Sequence, residues 1–201
     1  MLKIVSTPPA SGRNRFYVSN REPLLPNPLV KLPVGSVRPK GWLRQQLLLM
    51  ADGMTGYLPE TSQWCQFKGS AWASVEGQGD YGWEEVPYWL RGFGDLRYVF
   101  GDERIVAETR RWVEAVLSSQ EQDGYFGPRV NKENNDLWPN MLMLDVLKSF
   151  HEATGEWRQE ANGLVGLLPD SPIQSGELVD TITLIPMGCA RLRIAAFATV
   201  G

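Results

Sequence analysis

Sulfur and imidazole are scarce in this chain of 201 residues: two cysteines, Cys65 and Cys189, far apart, and one histidine, His151. That poverty excludes a disulfide framework and a four-ligand zinc site built from Cys and His, and both cysteines read as ordinary buried thiols. Long apolar runs are also missing. No stretch of 18 apolar residues is available for a membrane span, and the opening "MLKIVSTPPASGRNRFYV" holds no apolar segment of leader length, so the expected setting is cytoplasmic with no membrane partner. Basic clusters are absent as well. Residues 1 to 45 carry eight Lys or Arg against one acid, +7, but these bases are spread among prolines; the remainder holds 12 bases and 22 acids, −10. An acidic body with no basic helix face argues against nucleic acid as a partner.

Tryptophan, proline and glycine are plentiful. Eight tryptophans are more indole than packing alone demands and suit stacking on flat ligand faces. Pro8, Pro9, Pro23, Pro26, Pro28, Pro33 and Pro39 forbid helix and central strand over residues 1 to 40, which read as an extended arm. "GWLRQQLLLMADG" predicts a first helix from Gly41 to Ala51 with Gly53 as its stop, and the aperiodic residues 54 to 80 predict a long loop.

From Pro87, apolar Leu90, Phe93, Leu96 and Phe100 recur every three or four positions until Gly101, and Asp102 is placed to cap a following helix. That next helix carries Ile105, Val106, Trp112, Val113, Val116 and Leu117 on one stripe, with Glu108, Arg111 and Glu114 opposite, so it predicts an outer element with a wet face. "QDGYFGP" at 122 to 128 is a turn, and "NMLMLDVLKSFHEATG" after Pro139 predicts a more deeply buried, inner helix. The two inner helices share a plan: acid and tryptophan, proline in the first turn, an apolar stretch, a glycine-acid corner. Pro87 to Pro139 is 52 residues and Gly101 to Gly155 is 54. Such a period predicts an all-α array of helical hairpins, stacked or closed into a ring, over residues 41 to 160.

The pattern stops in residues 161 to 201, which hold one of the chain's 21 aromatics, Phe197. A shifted reading frame or truncated gene would produce such a tail; a small β-rich appendage, favoured by "LVDTITLI", is the other reading.

Together "GWLRQQLLLMADGMTGYL", "YGWEEVPYWLRGFGDLRYVFGDERIVAE", "SSQEQDGYFGP" and "DLWPNMLMLDVLKSFHEATGE" resemble the N-terminal part of the beta-L-arabinofuranosidase-type catalytic domain, glycoside hydrolase family 127 and its relatives, over residues 20 to 158. The resemblance implies an (α/α)6 toroid, of which this chain holds a part, and a carbohydrate partner. It also implies a zinc site of cysteines and a glutamate, a cysteine nucleophile and an acid/base glutamate, all in later hairpins. Cys65 and Cys189 stand in no matching motif and inherit no role. The chain is therefore expected to be an incomplete catalytic domain without turnover, its catalytic residues unassigned and no metal ligand among its own residues; a non-catalytic sugar-binding module and a non-functional gene fragment are the alternatives.

In a toroid with parallel inner helices, helix starts gather at one mouth, where free N–H groups and the helix dipole favour anions. The candidate substrate-binding residues there are Asp80, Trp83, Glu84, Glu85, Asp136, Trp138 and Asn140, with Trp89 as a further indole. Carboxylates accept sugar hydroxyls and indoles offer apolar faces. Glycoside hydrolysis needs two carboxyl groups ~5 to 9 Å apart across the scissile bond. Glu84 and Glu85 are adjacent and point differently, so at most one faces the mouth; acidic helix capping is the competing role for each. Asp80 in "GQGDYG" has turn chemistry as its competing role. His151 reads as a partner of its helix C-terminus, and Trp112 and Trp157 read as packing.

Overall fold

The computed structural model describes residues 12–20, 23–27 and 29–155. These belong to two compact units, one within Met1–Pro33 and one within Val34–Ser171. In the first, the described residues form no helix. Asn14 nucleates a turn by accepting the Phe16 and Tyr17 N–H groups, both at 2.9 Å, and an antiparallel bridge joins Arg13 to Val18.

The second unit is helical, and among the described residues no strand forms, only isolated bridges. Its helices are α1 (Gly41–Ala51), α2 (Met54–Thr61), α3 (Glu85–Phe100), α4 (Glu103–Ser118), α5 (Arg129–Glu133) and α6 (Trp138–Thr154). None of the described helices is long and apolar enough to cross a membrane. Residues 34 to 40, expected to belong to the arm, fall in this unit, where the Val34 N–H donates to Glu152 Oε2 at 2.7 Å.

α1 has its expected bounds, but residues 54 to 80 are no simple loop. They hold α2 and two 3-10 turns, Gln63–Cys65 and Ala71–Ala73. Gly53, expected to be the stop of α1, instead stands at the N-cap of α2. Sequence periodicity misses α2 because "MTGYLPET" is short, contains Pro59 and kinks at Tyr57. It is held from outside: Arg104 donates to Gly56 O and Ala51 O at 2.8 and 3.1 Å, and Trp89 Nε1 donates to Thr55 O at 2.9 Å. Tertiary partners here outweigh weak local propensity.

α3 and α4 form an antiparallel hairpin through Gly101 and Asp102. Gly101 takes the left-handed conformation (φ 71°) and donates to Arg97 O at 2.7 Å, while Asp102 Oδ1 accepts the Ile105 N–H at 3.0 Å. The Trp89 and Trp112 rings meet edge-on at 6.0 Å, and a Cβ on Gly94 would lie 3.5 Å from Thr109 Cγ2. As the α3 number rises the α4 number falls, so the helices are antiparallel.

α6 runs the other way relative to α4 and parallel to α3. Trp83 pairs with Asp136, Glu84 with Trp138, Arg91 with Asp145 at 3.3 Å, and the Arg97 guanidinium lies 5.5 Å from the Phe150 ring. Every pair is separated by 53 or 54 residues, the spacing of Gly101 and Gly155, and Gly155 repeats the left-handed stop (φ 67°). Val86, Trp89, Leu90, Phe93 and Leu96 of α3, Ile105, Trp112, Val113 and Val116 of α4, and Met143, Val146, Leu147 and Phe150 of α6 make one core, joined by Trp72. The expected helical hairpin of α3 and α4 is thus present, and α6 packs parallel to α3. The expected second outer helix, Trp157, Cys189 and the tail of 161 to 201 lie outside the described residues.

Candidate functional site

The parallel packing of α3 and α6 brings their first turns together, and two tied-down loops aim the side chains there. The chain leading into α3 is pinned by three consecutive carbonyls: Tyr81 O accepts from Ala71 N (2.8 Å), Gly82 O from Asn131 Nδ2 (3.2 Å) and Trp83 O from Trp72 Nε1 (2.8 Å). Glycine is required at 82, because a Cβ would stand 2.7 Å from Ala71 Cβ and 2.9 Å from Pro128 Cγ. The chain leading into α6 turns through Asn135, a non-glycine residue at φ 54°, and Asp136 N donates to Asn131 O at 2.8 Å. Asn131, buried in the short helix α5, therefore steadies the approach to α3 and the approach to α6 together.

From these two approaches a reciprocal set of bonds crosses between the helices. Trp83 Nε1 donates to Asp136 Oδ2 at 2.7 Å, and Trp138 Nε1 donates to Glu84 Oε2 at 2.6 Å. Asp136 Oδ1 also accepts the Trp138 backbone N–H at 3.1 Å, capping α6 while its other oxygen holds the indole that precedes α3. The short indole-carboxylate distances are those of charge-assisted hydrogen bonds. Both indoles remain open to solvent, Trp83 at 48% and Trp138 at 38% of full exposure, so the bonds fix the rings without hiding them.

Glu84 stands at the N-cap of α3, yet its carboxylate makes no capping bond and reaches across to α6. Glu85 occupies the first position of α3, where its charge meets the helix N-terminus. The two adjacent acids are therefore divided: Glu84 joins Trp83, Asp136 and Trp138, and Glu85 does not. Asp80 is exposed and its N–H donates to Gly69 O at 2.9 Å, so it sits on the loop that precedes Trp83 and does not join the quartet. Asn140 is only 1% exposed; its Nδ2 donates to Phe126 O at 2.7 Å, and the Tyr125 hydroxyl approaches its Oδ1 at 3.5 Å. That amide locks the 125–128 turn against α6 instead of opening to the mouth. Trp89 is likewise core, its ring 4.7 Å from that of Phe93.

Trp112 is fully buried, as its packing role requires, and His151 lies in the last turn of α6. Cys65 is buried, and loss of solvent pushes its thiol pKa up, which makes it a poor nucleophile. The zinc site implied by the resemblance finds no donor set here: among the described residues no group of three or more His, Cys, Asp or Glu is placed to hold a metal ion. No chemical step is assigned to zinc.

Sequence reasoning missed Trp72 and Asn131, which hold the two helix starts from behind. A signal did exist for the cross-pairing itself. "WEE" places its acid after tryptophan and "DLW" places its acid before, so parallel helices in register face each indole with a carboxylate. Compared with known protein families, curated proteins and solved structures, the chain finds no match.

Proposed function

We propose that the mouth formed by Trp83, Glu84, Asp136 and Trp138 binds carbohydrate, and that the helical unit is part of an (α/α)6 toroid of the beta-L-arabinofuranosidase-type glycoside hydrolases. The observation that carries this reading is the cross-paired quartet: two exposed, immobilised indoles and two carboxylates at the shared N-terminal end of parallel helices. A sugar offers an apolar C–H face and a rim of hydroxyl donors. The indoles match the face, and each carboxylate retains lone pairs beyond those used by tryptophan and so matches the rim. Parallel helices with a 54-residue period and matching glycine corners at 101 and 155 are compatible with such a toroid, as they are with an open stack of hairpins.

A positioning role suits these carboxylates better than acid/base catalysis. Each already accepts a short hydrogen bond from an indole, which holds its oxygen fixed as an acceptor between the two helices. This observation also favours the second reading, a sugar-binding module without hydrolysis.

Titration of the 201-residue protein with L-arabinose and methyl beta-L-arabinofuranoside, followed by tryptophan fluorescence, tests the proposal. Saturable quenching that disappears in Trp138→Ala and weakens in Glu84→Gln is expected. A response that survives both substitutions would show that the sugar binds elsewhere.

A further inference from the structure

α1, "GWLRQQLLLMA", is apolar on several sides, yet Ala51 is its one buried residue. A helix of that composition ordinarily lies inside a core. Ala51 and Leu47 join the core of the unit and Leu48 is half-buried beside them. On the opposite side Trp42 (81% exposed), Leu43, Leu49 (58%) and Met50 all meet solvent. At 3.6 residues per turn these four and Gln46 fall within an arc of ~120°, so they make one stripe and not a scatter. Met54, also exposed, follows just past its end. The open parts of the five apolar side chains amount to about 600 Å², which is large for a monomer surface and near the least that one partner gives to a stable interface.

Two features say what covers this stripe. The first is its symmetry: Gln46 stands at the centre, Trp42 and Leu43 lie four and three residues before it, and Leu49 and Met50 lie three and four residues after it. A two-fold interface needs such a self-complementary patch. The second is charge. Lys40 stands at the N-cap of α1 and Arg44 near its start, while Asp52 stands at its C-cap. An isolated helix favours the reverse, acids first and bases last. Contact between the Arg44 guanidinium and the Phe100 ring, 5.6 Å apart, leaves that conflict in place. An antiparallel copy of the same helix relieves it, setting the basic start of one beside the acidic end of the other, whereas a parallel copy would bring like charges together. We propose that α1 is a homodimer surface on which two copies of this chain pair antiparallel about an axis at Gln46. Trp42 of each copy packs on Leu49 of the other and Leu43 on Met50. The two Gln46 amides, each both donor and acceptor, bond to one another. This surface does not depend on the carbohydrate reading of the Trp83–Trp138 mouth.

Sedimentation velocity of the 201-residue protein from ~1 to ~200 μM tests the proposal, with a dimer Kd on the order of 10 μM expected for an interface of this size. Well below that concentration the face is open, and Trp42 contributes little to the stability of the monomer. Trp42→Glu and Leu49→Lys, both at exposed positions and each verified as folded by circular dichroism, should weaken self-association about tenfold or more. An equimolar mixture of the two variants should recover dimer, because a mixed pair keeps one Trp42–Leu49 contact and gains an ion pair in place of the other. A protein that stays monomeric throughout, as it would with another segment of the chain or a different protein covering α1, would overturn the proposal. So would a dimer unmoved by both substitutions, which would place the interface elsewhere. A mixture that fails to recover dimer would overturn the antiparallel register.

Discussion

Glu84 and Glu85 differ by one position and by the company each keeps. Glu84 accepts from the Trp138 indole of a different helix, whereas Glu85 is set in the first turn of its own. A hydrogen bond to a charged group contributes up to ~1.5 to 3 kcal/mol net, and exposure at the mouth reduces that. A double-mutant cycle of Glu84→Gln with Trp138→Phe should therefore give a coupling of ~0.5 to 1.5 kcal/mol in urea unfolding. The parallel cycle of Glu85→Gln with Trp138→Phe should give about zero. Equal couplings would mean that the two acids are not divided as described. The presence of acids and indoles at both helix starts was legible in the chain, but their partners were not, because residues 53 and 54 apart meet only after packing sets the register.

Among the elements, the 119–133 turn and short helix show how a loop is made rigid enough to support a site. Arg129 Nε pairs with Glu121 at 2.6 Å, Lys132 bonds both Glu121 and Asp123, and Gly127 N donates to Ser119 Oγ at 2.8 Å. The hydrogen bond from Lys132 is the main reason that the Asp123 carboxyl is held below its ordinary value of 3.8, with the Tyr125 N–H adding to it. A depressed carboxylate stabilises the fold above its unfolded pKa and loses that contribution as pH falls through the folded one. Lys132 is held above its ordinary 10.5, chiefly by the Asp123 bond, so its contribution is present below that value and fades as pH rises through the higher folded value. The turn is thus at full strength between about pH 4 and 10, and acid should loosen it first. Thermal midpoints measured from pH 6 to 2.5 should fall less steeply for Asp123→Asn than for the parent. An identical slope would show that this pair does not hold the turn. Because both groups are largely exposed, the effect is small and salt should reduce it. The "QDGYFGP" turn was visible from its glycines and proline; its function as a brace for Asn131, and through Asn131 for the starts of α3 and α6, was not.

For the whole molecule, the core is shared between the helices and the loop that precedes them. Trp72 from the loop and Trp112 from α4 are both fully buried, with Phe67 4.8 Å from Trp112 and Trp72 packed against Gly127 so closely that a Cβ there would lie 2.4 Å from it. Trp112→Ala should cost ~3 to 5 kcal/mol and shift urea unfolding accordingly, whereas Trp42→Ala, at a residue 81% exposed, should change stability by less than ~0.5 kcal/mol. Similar effects at the two sites would contradict this division of the tryptophans into core and surface. Local signals along the chain were enough for the periodic stripes of α3, α4 and α6, the bounds of α1, and the glycine-acid corner at Gly101 and Asp102. Those features depend on side-chain spacing and on backbone angles that glycine alone takes without strain. Packing between distant segments decided the rest. It made a helix of 54–61 through Arg104 and Trp89, buried Asn140, and paired Glu84 rather than Glu85 with Trp138. Each of these outcomes rests on bonds or contacts between residues well separated in the chain, which no local period encodes.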